Sequence, residues 1–285
     1  MSERPFSVAI LFAVLVIAAL FSIGFVQVPR QWTNVTIGLH LLAVVVCVVN
    51  YINEYLGKFQ LSYSKFTKHA GSLNPHFGWV VTYSLPAVVY TVLWYWYGKP
   101  STPYHLIAMA TYVGHFIKRV AECLFLHKYS KKIEIASVIE IGLFYTLGAV
   151  VQHYWCNVFT SPALATKLAQ NQTVVVTGMT LYVLGELINF VHHFILATLR
   201  PKGSSSGSYV IPTGGLFGLV ICPHYFGELL AWLGMSILCQ HSCTYLTWLS
   251  MVAYLAGRSH QTRLWYMTKF ENFPQHLKNM FPGIY

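Results

Sequence analysis

The sequence predicts an all-α protein, a polytopic membrane helical bundle. Three observations predict it. Of the 285 residues 55% are hydrophobic and only 9% charged, and the mean hydropathy is +0.53, outside the composition of an ordinary soluble domain. The apolar residues fall in runs of about twenty, the length a helix needs to cross a hydrocarbon core. Between the runs lie the cations: with eight crossings, fifteen of the eighteen Lys and Arg face one side, and only Arg30, Lys99 and Lys167 face the other. Lys and Arg accumulate in cytoplasmic loops, so the basic side is expected to be cytoplasmic, with both termini on it. The net charge of +10 therefore reads as topology rather than as a nucleic-acid surface.

The first run, Phe6 to Val26, is 21 residues without a charge, longer than the apolar core of a secretory signal, and is expected to persist as a span. The second, Val35 to Tyr55, ends in Asn53 and Glu54 and gives way to Gly57-Lys58 and a polar loop with Lys65, Lys68 and the turn Asn74-Pro75. The third, Phe77 to Tyr97, holds Pro86 as a kink and closes on Trp94-Tyr95-Trp96-Tyr97, rings that prefer the headgroup level. The fourth, Tyr104 to Leu126, is apolar until Lys118, Arg119 and Glu122; the fifth spans Ile135 to Tyr154. The sixth, Thr173 to Leu199, carries Glu186, Asn189, His192 and His193 in its second half and runs into Arg200 and a Gly/Ser linker to Ser208, flexible by composition. The seventh is expected over Gly218 to Leu238, and the eighth from near Cys243 past Arg258 to about Lys269. The tail, Phe270 to Tyr285, contains Pro274 and Pro282 and is expected to form a short amphipathic segment. The six cysteines form no C-x-x-C pair, so buried thiols are expected rather than a disulfide scaffold or a zinc site, and no metal is expected.

Function is sought first between Tyr209 and Glu228, Y-V-I-P-T-G-G-L-F-G-L-V-I-C-P-H-Y-F-G-E. An Ile-Pro turn leads to a Gly-Gly pair, where backbone can approach a ligand, and then to an apolar run bearing His224, Tyr225 and Glu228. His224 and Glu228 share a helical face, and a carboxylate and an imidazole inside a bilayer are costly unless they pair or bind something. The eight-span topology brings four polar sets to the cytoplasmic leaflet: Lys118, Arg119 and Glu122; Asn189, His193 and Arg200; His224, Tyr225 and Glu228; Arg258, Arg263 and Tyr266. Snorkelling explains the cations but not the carboxylates and the amide. Cations with a few acceptors, reached from the cytoplasm, suit a phosphorylated cofactor, and no Rossmann glycine pattern is present to hold one otherwise.

Four ordered motifs, I-P-T-G-G-L-F (211–217), C-P-H-Y-F-G-E (222–228), H-F-I-K-R-x-x-E (115–122) and G-R-S-H-Q-T-R-L-W-Y-M-T-K-F-E-N-F-P (257–274), resemble the steroid 5α-reductase and trans-2-enoyl-CoA reductase family of NADPH-dependent membrane enzymes. The resemblance runs from about Glu54 to the C-terminus. It implies a seven-helix reductase domain, here residues 35–285, preceded by one extra N-terminal transmembrane helix, residues 1–34. It implies NADPH among the helices, held by Asn189, His193, Arg200, Tyr209, His224, Glu228, Arg258, Arg263 and Tyr266, and hydride transfer to a C=C conjugated to a carbonyl. His193 stands where steroid reductases carry aspartate, and His224 where they often carry asparagine. The steroid enzymes' Q-E-L-P and H-Y motifs are replaced by Tyr83-Ser84-Leu85-Pro86 and His115-Phe116. The enone oxygen still needs a donor. Tyr225 is the first candidate, because enoyl-CoA reductases carry a tyrosine in a matching C-P-N-Y motif, and Tyr83 is the second. Lys118 and Arg119 are assigned to phosphates of the cofactor or of a coenzyme A thioester, with Glu122 orienting them. The resemblance also implies a lipid substrate entering from the bilayer, an endoplasmic-reticulum location and partners in a lipid-synthesis or elongation complex.

Two other classes remain to be weighed. A membrane methyltransferase of the isoprenylcysteine type would carry R-H-P-x-Y-x-G and bind S-adenosylmethionine, whereas C-P-H-Y-F-G lacks that arginine and His-Pro order. A transporter would explain intramembrane charge but not the Gly-Gly turn followed by P-H-Y-x-G-E. A di-iron enzyme would need more histidine boxes than the His192-His193 pair.

Overall fold

A computed structural model describes residues 6–29, 31–59, 61–66, 73–129, 133–199 and 209–285. Arg200 and the linker after it lie outside the described residues. The elements are α1 (Phe6–Ser22), α2 (Asn34–Asn50), α3 (Pro75–Trp96), α4 (Pro103–Phe125), α5 (Ile135–His153), α6 (Pro162–Gln170), α7 (Gln172–Thr198), α8 (Pro223–Cys239) and α9 (Ser242–Lys269). Helices α2 and α5 continue into wider π turns, Tyr51–Tyr55 and Tyr154–Phe159. Among the described residues the only β pairing is three isolated bridges. This is the all-α membrane class the composition demands. Four helical segments, Asn34–Tyr55, Pro75–Trp96, Ile135–Phe159 and Gln172–Thr198, are long and apolar enough to cross a membrane, and α1 is apolar but shorter. Helix α8 has only 17 residues, and α4 and α9 carry their charges in their C-terminal halves.

Two expectations are corrected, and one helix is added. The seventh helix begins at Pro223 rather than Gly218, because Gly215–Gly218 forms a 3-10 turn and the next residues pair with the tail. Ile221 and Cys222 donate their N–H groups to the carbonyls of Lys278 and Asn279 at 2.9 and 3.0 Å, and Lys278 donates to Leu219 O at 2.9 Å. Accordingly the tail is no amphipathic segment: it is a run of turns whose Phe273, Leu277, Met280, Phe281 and Tyr285 are buried. Between the fifth and sixth spans lies α6, which the apolar runs did not announce. Pro162 opens it, and the Ser161 hydroxyl accepts the Leu164 N–H.

The chain forms two compact units. The first comprises Met1–Gln60, Val183–Leu233 and His241–Tyr285. Its axis is α9, with α1 and α2 against it. His40 meets Ser242 at 2.8 Å, Asn50 donates to Ser250 O at 3.0 Å and Gln261 donates to Tyr55 O at 2.9 Å. Both numbers of each pair rise together, so α2 and α9 run parallel. On α7 and α8 two glycines set the spacing: a Cβ on Gly185 would lie 2.2 Å from Ala231 N, and one on Gly227 would lie 2.5 Å from Asn189 N. Only hydrogen side chains allow backbones this close.

The second unit comprises Leu61–Tyr182 and Gly234–Gln240. Within it α3 packs on α4 and α5. Tyr83 lies by Arg119 and Tyr90 by Tyr112, so α3 and α4 are antiparallel. A Cβ on Gly78 would meet Val138, and one on Gly142 would meet Thr82, so α3 and α5 are parallel.

Candidate active site

In the first unit the site is assembled around Glu228. Pro223 starts α8, and five residues on, the helix delivers the Glu228 carboxylate to α7, where Asn189 lies opposite Gly227. Asn189 Nδ2 donates to Glu228 Oε2 at 3.1 Å and to His224 O at 3.0 Å. Trp232 Nε1 donates to Glu228 Oε1 at 3.3 Å. Both carboxylate oxygens thus accept hydrogen bonds, and both Asn189 and Glu228 are buried. The ring of His224 stands 5.4 Å from that of His193 and 4.3 Å from that of Tyr225, so five predicted residues, Asn189, His193, His224, Tyr225 and Glu228, form one cluster.

The Gly-Gly turn is held to α7 by a residue that the sequence singled out only as half of a histidine pair. His192 Nδ1 donates to Ile188 O at 2.6 Å, and Nε2 accepts the Leu216 N–H at 2.9 Å. A carbonyl can only accept and an N–H only donate, so the ring is a neutral Nδ1–H tautomer. Gly214 and Gly215 adopt φ of 90° and 51°, and a Cβ on Gly215 would lie 2.7 Å from His192 Nε2. Glycine is required there for conformation and for space.

The remaining predicted residues of this unit lie in other settings. Tyr209 meets Trp265 edge-on at 4.8 Å, and Tyr266 stacks on Phe273 at 5.6 Å. Arg263 donates from Nε to Asn279 Oδ1 at 2.6 Å and from Nη2 to Leu277 O, which anchors the tail. Arg258, 1% exposed, pairs through Nη1 with Glu54 Oε2 at 3.3 Å. In the sequence Glu54 closes the second span, within Asn53-Glu54-Tyr55. Nothing in one sequence ties it to a residue 204 positions away.

In the second unit Tyr83, Lys118, Arg119 and Glu122 come together. Glu122 pairs with Lys118 Nζ at 3.1 Å, with Arg119 Nη1, and with His127 Nε2 at 3.6 Å. Arg119 Nη2 donates to the Tyr83 hydroxyl at 3.0 Å, and its guanidinium lies 4.8 Å from the Tyr83 ring centroid. A cation on the phenol oxygen strengthens that O–H as a donor. In the loop after α4, burial pulls the His127 imidazole below its ordinary value, against the hydrogen bond to Glu122.

The donor set of the first unit fits a dinucleotide. A buried amide and carboxylate complement ribose hydroxyls or a carboxamide, and a positive-φ glycine turn offers backbone N–H groups to phosphate.

Residues 131–285, just over half of the chain, match the family model described as 3-oxo-5-alpha-steroid 4-dehydrogenase. The very-long-chain enoyl-CoA reductase of Dictyostelium discoideum is 29% identical over 237 residues, covering 76% of this chain and 73% of that protein. The steroid 5-alpha-reductase DET2 of Gossypium hirsutum is 38% identical over 109 residues, 38% of this chain and 42% of that protein. The polyprenal reductase of Xenopus laevis is 31% identical over 181 residues, 60% of this chain and 56% of that protein. The chain thus spans less than two thirds of the length of the last two. The matched region holds the Asn189, His224 and Glu228 cluster, the Gly-Gly turn and all of α9, and by that match the chain belongs to the 3-oxo-5-alpha-steroid 4-dehydrogenase family.

Proposed function

We propose that this protein uses NADPH to reduce a C=C bond conjugated to a carbonyl in a lipid substrate. The observation that carries the reading is the buried Glu228 carboxylate, fixed by Asn189 and Trp232 beside His224 and Tyr225, within the region the family model matches. NADPH, when bound, supplies hydride to the β-carbon. Asn189, His193, His224 and Glu228 then hold its polar groups at the end of α8, with Arg200, Tyr209, Arg258, Arg263 and Tyr266 as further contacts. Tyr225 donates from Oη to the carbonyl oxygen as negative charge develops there, in a site where low dielectric makes one such bond worth about 10²–10³ in rate. Tyr83, polarised by Arg119, is the second donor. Lys118 and Arg119 neutralise phosphates, and Glu122 orients both cations through the pairs it already makes. The relatives' names offer three substrate classes, a 2-enoyl-CoA, a 3-oxo-Δ4-steroid and a polyprenal.

In the membrane we infer eight crossings, with residues 1–34 an addition to a reductase domain over 35–285 and both termini cytoplasmic. The helix directions support this count: α2 and α9 are parallel, as spans two and eight must be, and α3, α4 and α5 alternate. A lipid substrate and a cytoplasmic cofactor suit the endoplasmic reticulum, the location we infer, where partners of a lipid-synthesis or elongation complex are expected.

The test is NADPH oxidation in detergent with each of the three substrates, parent beside Tyr225→Phe and Tyr83→Phe. Oxidation with none of them overturns the reading. Full activity of Tyr225→Phe moves the donor role to Tyr83, and co-purified S-adenosylmethionine would instead favour the methyltransferase.

A further inference from the structure

In the second unit Cys156 and Cys239, 83 residues apart in sequence, hold their sulfurs 2.9 Å from each other. We propose that they form a disulfide in the membrane-resident protein, a covalent tie between the π turn after α5 and the C-terminal end of α8. The sulfurs are within about 1 Å of the ~2.05 Å bond length, so small side-chain movements close the gap. Two thiolates on one tetrahedral zinc, each at about 2.3 Å, would stand about 3.8 Å apart, so this spacing is too short for a shared metal. Both residues are fully buried, and the backbone on each side is fixed. The Tyr104 hydroxyl donates to Cys239 O at 2.8 Å, and the Thr160 hydroxyl donates to Trp155 O at 2.7 Å. Leu238, just before Cys239, fills the space over Gly178, where a Cβ would meet its Cγ at 2.7 Å. An 83-residue loop closed at ends already held in place is the arrangement in which a crosslink constrains the unfolded chain with little cost to the fold.

The step is thiol–disulfide exchange with the disulfide of an oxidising compartment's dithiol carrier. Cys156 and Cys239 each lose a proton as the S–S bond forms, and the two electrons reduce the carrier disulfide to two thiols. In the proposed orientation both cysteines lie at the end of the bundle away from the basic loops, the lumenal end, where such carriers act. The compartment rests on that orientation, whereas the pairing rests on the geometry.

Full-length protein is extracted from eukaryotic membranes under acid quench, denatured without reductant, alkylated and mapped by peptide mass spectrometry. In a parallel chain, a glycosylation acceptor loop spliced between residues 98 and 100 reads the orientation. The expected map shows Cys47, Cys123, Cys222 and Cys243 alkylated, and the Cys156 and Cys239 peptides joined and two hydrogens lighter until a phosphine is added. In Cys239→Ser, Cys156 is expected to alkylate without phosphine. Alkylation of all six cysteines in the unreduced parent overturns the disulfide, whether or not the acceptor is glycosylated. A joined peptide pair with no glycan keeps the disulfide and overturns the orientation.

Discussion

Glu228 illustrates how a single carboxylate is kept inside a membrane protein: each oxygen has a donor, Asn189 on one and Trp232 on the other. Glu228→Gln replaces one acceptor with an NH2 that must face one of these donors. The Michaelis constant for NADPH is therefore expected to rise about tenfold or more, with a smaller change in kcat, in a titration of initial rate against cofactor. An unchanged constant would remove Glu228 from the cofactor site. Tyr225→Phe tests the other half of the site, since it keeps the ring against His224 and deletes only the hydroxyl that donates the proton. The expected loss is about 10²-fold in kcat at unchanged NADPH affinity. Arg258 poses a structural question of the same kind. It is buried against Glu54, so Glu54→Ala leaves a buried cation without that partner and is expected to cost on the order of 3–5 kcal/mol, read by denaturation in detergent. A variant as stable as the parent would mean that the pair contributes nothing to the fold.

Helix α8 owes its position to small residues, and here the sequence held a signal that hydropathy does not weigh. Glycines recur seven apart on α7, at 178 and 185, and on α8, at 227 and 234, and each lies against the facing backbone. In the first unit Gly185→Ala would drive a methyl to 2.2 Å from Ala231 N, which a rigid helix cannot yield to. The helices must separate, and Asn189 and Glu228 with them. The expected result is a loss of about 1–3 kcal/mol in stability together with a raised Michaelis constant for NADPH; a stable, fully active Gly185→Ala would show that this contact does not set the site. The turn between α8 and α9 predicts a pH dependence. Burial lowers the His241 imidazole from 6.5 to about 4, so the unfolded chain takes up a proton there over a range in which the fold does not. Stability from this group is therefore complete above pH 6.5 and falls by about 3 kcal/mol as pH drops to about 4, and His127 acts in the same direction. Thermal midpoints from pH 7.5 to 4.5 check it: His241→Asn is expected to flatten the profile, and an unaltered slope would assign the loss elsewhere.

For the whole chain, the sequence was legible where bilayer physics is one-dimensional. The ends of α3, α4, α5, α7 and α9 fall within two residues of the apolar runs, because polar residues and turn signals bound them. It was opaque where an apolar stretch is buried by protein instead of lipid. Leu219 to Cys222 reads as membrane helix but is a non-helical segment paired with the tail, and hydropathy alone cannot tell the two apart. The site was legible as residue types through the motifs, but partners such as Glu54 for Arg258 depend on contacts between distant parts of the chain. The first helix brings these limits together, since its sequence shows a span while its contacts show a structural part. Ala9 and Ala13 are fully buried, whereas Leu11, Leu15 and Phe21 are exposed on a face suited to lipid. Phe12 meets the tail ring of Phe281 at 5.1 Å, Phe25 O accepts the Tyr245 hydroxyl at 3.0 Å and Gln27 O accepts the Ser242 N–H at 2.9 Å. Removing residues 1–30 strips two backbone acceptors from the start of α9 at about 1 kcal/mol each, which for a chain of this size corresponds to a fall of at least about 4 °C in the thermal midpoint. If the helix is an addition to the reductase domain, the truncated protein keeps the parent's Michaelis constant for NADPH when assayed below that midpoint. An unchanged midpoint would make α1 a passenger, and a raised constant would make it part of the site.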